Sequence, residues 1–347
     1  MPVRWLAVQP GPNFSVADCH NGWVEALRGL GEHVIEYRLD KRITFYDQVL
    51  LADDITDEQG RQAVHRALTR EQAIDLAANG LLSAAMQVWP DVVFITSAFF
   101  VPAWVLEVLR ARRMKIVMLF TEEPYQTGQQ LEMAKYADLS LLNDPVNLEA
   151  YRAIGPAEYA PHSYRPKIHY PAARGAAREW DLAFVGTGFP SRVEFFEQLD
   201  LAGLDVHLAG PWLDLPPDSP LRNWAMTDDE ACVDNDETAA IYRAARTGIN
   251  LYRRESEDGA NQGVAMGPRE VEMAACGLWF ARDPRPESDG LFPLLPTFTS
   301  PAEAGELIRW ALAHPAEREK AAAAARQAVA GRTFDANART LLAMITK

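Results

Sequence analysis

Apolar runs alternate with helix-spaced stretches along almost the whole chain, and this alternation constrains the fold more than any single motif. Trp5–Val8, His33–Tyr37, Asp91–Ile95 behind Pro90, Lys115–Phe120 and Asp138–Leu142 read as strands in the first half. Asp181–Val185, Asp205–Ala209, Gly248–Tyr252 and Leu278–Ala281 do so in the second. Helical patterns separate them, near Trp23–Leu30, Pro102–Arg112, Leu131–Tyr136, Val146–Ile154, from the Gly186 loop through Leu199, and over Glu237–Arg246. Unbroken apolar strands divided by helices belong to parallel sheets covered on both faces. The expected class is therefore α/β, doubly wound.

The alternation is interrupted once. Pro156, Pro161, Pro166 and Pro171 recur at five-residue steps, with His162, Arg165, Lys167 and His169 among them. Prolines this dense exclude a long helix or a central strand. They mark a crossing between two domains, for which 347 residues suffice. The boundaries read as residues 1–165 for the first domain and 166–330 for the second. Residues 331–347, after Gly331, form a C-terminal helix expected to pack back on the first domain. Residues 40–90 are ambiguous: Phe45–Leu51 suits a helix or a strand, and Thr56–Ala85 has helical spacing broken at Thr69 and Gly80.

Composition excludes several classes. Hydrophobic residues are 48% and charged ones 24%, the balance of a globular chain. A net charge of -14 disfavours nonspecific binding to nucleic acid or anionic membrane. The basic cluster Arg110, Arg112, Arg113 and Lys115 reads most simply as a solvated helix end. Cys19, Cys232 and Cys276 are odd in number and widely spaced, which fits a reducing compartment. With no leader pattern and no apolar run of membrane-spanning length, the expected location is the cytoplasm.

Two stretches in the second half could hold a ligand. The first is the Gly267–Gly277 segment, which follows a strand and a loop holding Gly259, Gly263 and Gly267. Arg269 and Glu272 are three apart, so both leave one helix face. They could serve a phosphate and sugar hydroxyls, or form an ordinary surface ion pair. The second is Gly186-Thr187-Gly188 after a strand, where backbone N–H groups at a helix start suit a phosphate and Arg192 could clamp it. A plain β–α turn is the other reading. Asp205 falls seventeen residues after Gly188, but Phe189-Pro190-Ser191 replaces the third glycine of a dinucleotide fingerprint. Arg254 closes the strand that precedes the Gly259 loop and joins the donor-side candidates.

In the first domain, Asp18 and His20 lie in a loop at the carboxyl end of the first strand. His20 could be a general base oriented by Asp18, or Asp18 could simply cap the next helix. Glu122 and Glu123 end the 115–120 strand, and Tyr125 and His162 complete an acceptor-side set. No histidine or carboxylate spacing suggests a metal, and Asp53-Asp54 and Asp228-Asp229-Glu230 read as solvated caps.

Taken together these pieces resemble a two-domain nucleotide-sugar glycosyltransferase of the GT-B fold. More narrowly they resemble the CgeB-like, spore-maturation-type branch of the group 1 glycosyltransferases. The likeness rests on Phe120-Thr121-Glu122-Glu123-Pro124-Tyr125, Asn143-Asp144, Ala160-Pro161-His162, Phe184-Val185-Gly186-Thr187-Gly188 with Arg192, and Gly267–Gly277. It implies two Rossmann-like domains facing across a cleft, with C-terminal helices. It also implies a UDP-linked donor on the second domain, with no metal and no further cofactor. Glu272 would grip the ribose hydroxyls, and Arg269 and Arg192 would neutralise the leaving diphosphate. Catalysis would fall to His20, Asp18 or Glu122 if a base is needed. The acceptor would be a hydroxyl of a polysaccharide, a small molecule or a hydroxymethylated DNA base, the last disfavoured by the charge. The wider group carries a second glutamate where this chain has Val264. A non-catalytic sugar- or nucleotide-binding protein of the same fold is the alternative, with an NAD-type oxidoreductase or epimerase behind it. Nothing in the sequence sets an oligomeric state.

Overall fold

A computed structural model describes residues 2–12, 16–56, 62–213, 215–225, 232–255 and 263–345. Gly259 and the acidic stretch 228–230 lie outside the described residues, as do the side chains of Asp53 and Asp54. The chain divides into two compact units. One comprises Met1–Glu122, Thr127–Leu142 and Asn147–Tyr159; the other comprises Glu123–Gln126, Asn143–Val146 and Ala160–Lys347. Two short excursions of the first half of the chain, each just after a strand, thus belong to the second unit.

The first unit runs β1 (Arg4–Val8), α1 (Ala17–Gly29), β2 (His33–Tyr37), α2 (Leu39–Asp47), β3 (Leu50–Thr56), β4 (Gln62–Arg66), α3 (Arg70–Val88), β5 (Val92–Thr96) and α4 (Ala103–Ala111). It continues with β6 (Lys115–Phe120), α5 (Thr127–Ala134), β7 (Leu139–Leu142), α6 (Leu148–Arg152) and β8 (Ala157–Tyr159). Its main sheet is parallel, in the order β2-β1-β5-β6-β7-β8. The ambiguous 40–90 region resolves into α2, an antiparallel β3–β4 hairpin and α3. Thr69 does not break a helix but starts one: its hydroxyl accepts from Gln72 N, and the Gln72 side chain accepts from Thr69 N.

The second unit runs β9 (Trp180–Val185), α7 (Pro190–Gln198), β10 (Val206–Ala209), α8 (Asn235–Ala244), β11 (Ala245–Asn250), α9 (Pro268–Ala275) and β12 (Trp279–Arg282). Four helices follow: α10 (Pro286–Leu291), α11 (Pro301–Ala313), α12 (Pro315–Ala328) and α13 (Phe334–Ile345). The sheet is again parallel, ordered β10-β9-β11-β12. Each unit buries its own apolar core around its sheet. The terminal helix α13 belongs to the second unit, and its Asn337 Nδ2 donates to Pro161 O and to Ser163 Oγ, residues that the sequence reading set in the first domain and that fall here in the second. Among the described residues no helix is long and apolar enough to cross a membrane, and none of the three cysteines forms a disulfide.

Glycine inside α3 looks at first like a defect, since glycine costs a helix interior up to about 1 kcal/mol relative to alanine. A Cβ at Gly80, however, would run into the Tyr37 hydroxyl, which donates to Ala77 O at 2.5 Å. Gly80→Ala is therefore expected to destabilise, by about 1–3 kcal/mol, because the overpacking outweighs the gain in propensity. Urea unfolding measures this, and combining it with Tyr37→Phe, which removes the obstructing oxygen, is expected to recover much of the loss.

Candidate functional site

In the second unit the chain leaves β9 toward β10 on one side and later returns to β11 on the other. Loops at the carboxyl ends of β9 and β11 therefore depart in opposite directions, which opens the crevice where doubly wound sheets hold ligands. Arg192, on the first turn of α7, joins these two loops. Its Nη1 donates to Thr187 O at 2.9 Å and its Nη2 to Leu251 O at 2.8 Å. The guanidinium is 3% exposed and stacks over the rings of Phe184 and Phe189. Burial, and then Arg269 beside it, push its pKa well below the ordinary arginine value. Arg192 ties the two loops to each other and is buried, whereas the sequence had suggested a phosphate clamp.

The Gly-Thr-Gly loop also differs from its expectation. The N–H groups of both its glycines are already engaged, Gly186 N by Ala209 O and Gly188 N by Pro211 O, and Phe189 N donates to Thr187 O. At the start of α7, Ser191 N donates to the Glu255 carboxylate at 3.0 Å. The glycines are there for close approach. A Cβ at Gly186 would lie 2.8 Å from Arg269 Nη2, and one at Gly188 would strike the Trp212 ring. Gly210, at φ +113°, has the Gly186 carbonyl oxygen 2.6 Å from where its Cβ would be. No side chain fits there.

Cationic side chains, not loop amides, dominate this crevice. Arg269 lies against the bare face of Gly186 with its guanidinium over the Phe184 ring. Arg253 stacks over the rings of Tyr125 and Phe189, and Arg285 reaches the Tyr125 hydroxyl at 3.3 Å while stacking on Tyr252. Burial raises the Tyr125 pKa, and Arg285, Arg192, Arg269 and Arg253 all oppose that rise. Tyr125, assigned from sequence to the acceptor side, thus sits among four arginines of the second unit. Arg254, the neighbour chosen from sequence, turns away, exposed and 3.4 Å from Asp283. Successive residues in extended chain point to opposite sides, so Arg253 was the alternative one position away.

The segment leading into α9 is pinned by side chains. Asp144 Oδ2 accepts from Val264 N at 2.9 Å and Ala265 N at 3.0 Å; Glu287 Oε2 accepts from Met266 N, and the Tyr252 hydroxyl from Gly267 N. At Val264, where the wider group carries a glutamate, the Asp144 carboxylate is engaged by the backbone. Gly263 leaves room for Asp144 and Arg285, whose atoms would meet any Cβ. Further along α9, Arg269 and Glu272 part company: Glu272 Oε1 accepts from Asn235 Nδ2 at 3.3 Å, with His169 Nε2 3.9 Å away. His162 is hydrogen-bonding distance from Asn143, and burial lowers its pKa to about 4. Glu123 is buried and is counted with the second unit.

The remaining candidates belong to the first unit. Asp18 and His20 are not in a loop but in the first turn of α1. His20 is wholly buried, its Nδ1 3.0 Å from Thr96 Oγ1, and burial lowers its pKa to about 3. A ring without exposed surface offers no face to a substrate, so this is a core histidine. Glu122 follows β6, its N–H donating to Gln130 Oε1. At this sheet's own switch point, between β1 and β5, Ser97 and Ala98 adopt left-handed backbone at φ 64° and 59°. Such conformations in non-glycine residues concentrate at functional turns.

Two doubly wound, Rossmann-like units in one chain make the fold GT-B. Comparison with solved structures agrees. The sucrose-phosphate synthase of Thermosynechococcus elongatus superposes with a TM-score of 0.66 at 14% identity, over 99% of this chain and 98% of that one. Anabaena HepE in complex with UDP gives 0.60 at 11% identity over 100% of both chains. An E. coli trehalose-6-phosphate protein bound with UDP-2-fluoro glucose gives 0.61 at 12% identity over 99% of both. In sequence, residues 192–343 match the family model described as glycosyl transferase-like. No curated protein matches the chain in sequence.

Two outcomes follow from this geometry. Gly210→Ala is expected to lower stability by more than about 1 kcal/mol, since it adds left-handed strain to a collision with backbone; chemical denaturation reads this directly. His20 has a folded pKa depressed from 6.5 to about 3, so the stability it contributes above pH 6.5 is lost as the pH falls toward 3. His20→Gln is expected to flatten the unfolding free energy against pH by about 1.4 kcal/mol per unit between about pH 4.5 and 6. Asp144 and Glu270, whose pKa values burial raises, act with the opposite sign and remain in both proteins.

Proposed function

We propose that this chain moves a sugar from a nucleotide-sugar donor, uridine-linked, to a hydroxyl acceptor, with arginines in place of a metal on the leaving diphosphate. The observation that carries this is the gathering of Arg192, Arg253, Arg269 and Arg285 around Tyr125 at the β9–β11 switch point. Like charges repel, and a diphosphate would relieve that repulsion while its charge develops. Supporting this are the glycosyl transferase-like match over residues 192–343 and the presence of UDP or a UDP sugar in two structures of the same fold. The narrower likeness to the CgeB-like branch rests on the motifs quoted from the sequence.

In this reading Arg269, with its half-buried side chain lying over Gly186, meets the phosphates, aided by Arg253. Arg192 is already committed to two carbonyls and acts by holding the loops. Glu272 accepts the ribose hydroxyls. The bond from the anomeric carbon to the diphosphate breaks and one to the acceptor oxygen forms; the acceptor proton leaves to the released phosphate or to a base such as Glu122. The acceptor is a hydroxyl of a polysaccharide, a small molecule or a hydroxymethylated DNA base, and the -14 charge weighs against the last. The sugar moved is a hexose or a pentose, and a cytoplasmic location suits cysteines that form no disulfide.

Thermal shift against uridine, guanosine and thymidine diphosphate sugars tests the donor. The correct donor at a hundredfold excess over Kd is expected to add about 2.7 kcal/mol of stability by mass action, unchanged by EDTA. Arg269→Ala is expected to weaken UDP binding about ten- to a hundredfold, the effect of one lost charge-assisted contact. A flat response across the panel would refute the reading.

A further inference from the structure

We infer that Arg165, Asn235 and His169 are positioning residues for Glu272, so that the Pro-rich segment is part of the ribose-binding apparatus and not only a connector. The inference rests on the reading of Glu272 as the ribose ligand.

Asn235 opens α8 and is buried, between Arg165 and Glu272. Its Oδ1 accepts from Arg165 Nη2 at 3.3 Å, and its Nδ2 donates to Glu272 Oε1 at 3.3 Å. A guanidinium can only donate, so the amide has one orientation: oxygen toward Arg165, nitrogen toward Glu272. The positive charge of Arg165 polarises the amide in the sense that strengthens its bond to the carboxylate.

His169 approaches the same oxygen from the Pro-rich segment. Its Nδ1 accepts from Arg165 N at 3.2 Å, which leaves the proton of the neutral ring on Nε2. That Nε2 lies 3.9 Å from Glu272 Oε1, is fully buried and has no hydrogen-bond partner among the described residues. Burial lowers the pKa to about 4, which keeps the ring neutral and a single donor on this side. Asn235 Nδ2 donates to this oxygen and the His169 ring stands 3.9 Å from it, so the two flank the carboxylate and restrict its rotation.

The segment is held firmly enough to act as a template. His169 N donates to Arg165 O at 2.8 Å, Arg243 Nη1 to Ile168 O at 2.9 Å, and Tyr164 N to Arg332 O at 2.9 Å. Arg243 also stacks on Tyr170 at 4.3 Å. Residues 164–170 are thus clamped to α8 and to the turn before α13, all within the second unit.

The test compares UDP with 2′,3′-dideoxy-UDP, which lacks the ribose hydroxyls, by calorimetry on the full chain. Wild type is expected to prefer UDP. Asn235→Leu and Arg165→Met are expected to weaken UDP about tenfold while leaving dideoxy-UDP unchanged, and Arg165→Lys to retain most of the preference. Asn235→Asp, close in shape, places a second carboxylate against Glu272 and serves as the further variant if Asn235→Leu does not fold. Equal weakening of both nucleotides, or no change in either, overturns the positioning role. Absence of any preference in wild type overturns the ribose reading itself, and the inference with it.

Discussion

The second unit depends on one buried cation. Arg192 spans the point where the sheet reverses direction, giving one N–H to the loop after β9 and another to the loop after β11. Without it two carbonyl groups at the mouth would lose charge-assisted donors, and the Ser191–Glu255 hydrogen bond and the Arg253–Phe189 contact would be left to join the two loops. Its burial is costly, and burial together with neighbouring Arg269 holds its pKa well below the ordinary arginine value. The two faces of Phe184 and Phe189 recover part of it. A site that spends stability on an arginine held beside other arginines is suited to an anion, which would complete the charge balance.

Around that tie, glycine works by absence of volume. Gly186 admits Arg269, Gly188 admits the Trp212 ring, Gly210 admits the Gly186 carbonyl, and Gly263 admits Asp144 with Arg285. The same sequence signal, a glycine after a strand, had suggested amides free to hold a phosphate. The amides are engaged by the Ala209, Pro211 and Thr187 carbonyls instead. Glycine frequency alone does not separate a nest of donors from a close contact, because both require the missing Cβ.

The Pro-rich segment shows the same limit in another form. Its prolines mark a break between two sheets, and that is visible in one dimension. That Arg165 and His169 turn toward Glu272, more than a hundred positions later, is not. Asp144 and Tyr125 are the sharper cases: both follow strands of the first sheet, yet their segments are counted with the second unit. Only contacts across long sequence separation decide such membership.

Much of the architecture was legible in the chain because buried parallel strands must be apolar and their helices amphipathic, a local requirement. Strands β5, β6, β7, β9, β10 and β12 fall where their apolar runs lie, and α9 begins at Gly267-Pro268 as helix-start chemistry demands. The β3–β4 hairpin was not legible, because a two-stranded ribbon with exposed Leu50 and Leu51 lacks the burial that patterns a strand. Nor was the fate of His20, whose burial depends on Thr96 and the sheet beneath it. The sequence alone determined the two-sheet α/β frame and the presence of Arg269 and Glu272 on one helix. The tertiary structure decided which arginines converge, which carboxylates cap backbone, and what holds Glu272, since charges acquire roles only from the neighbours that folding brings within a few ångströms.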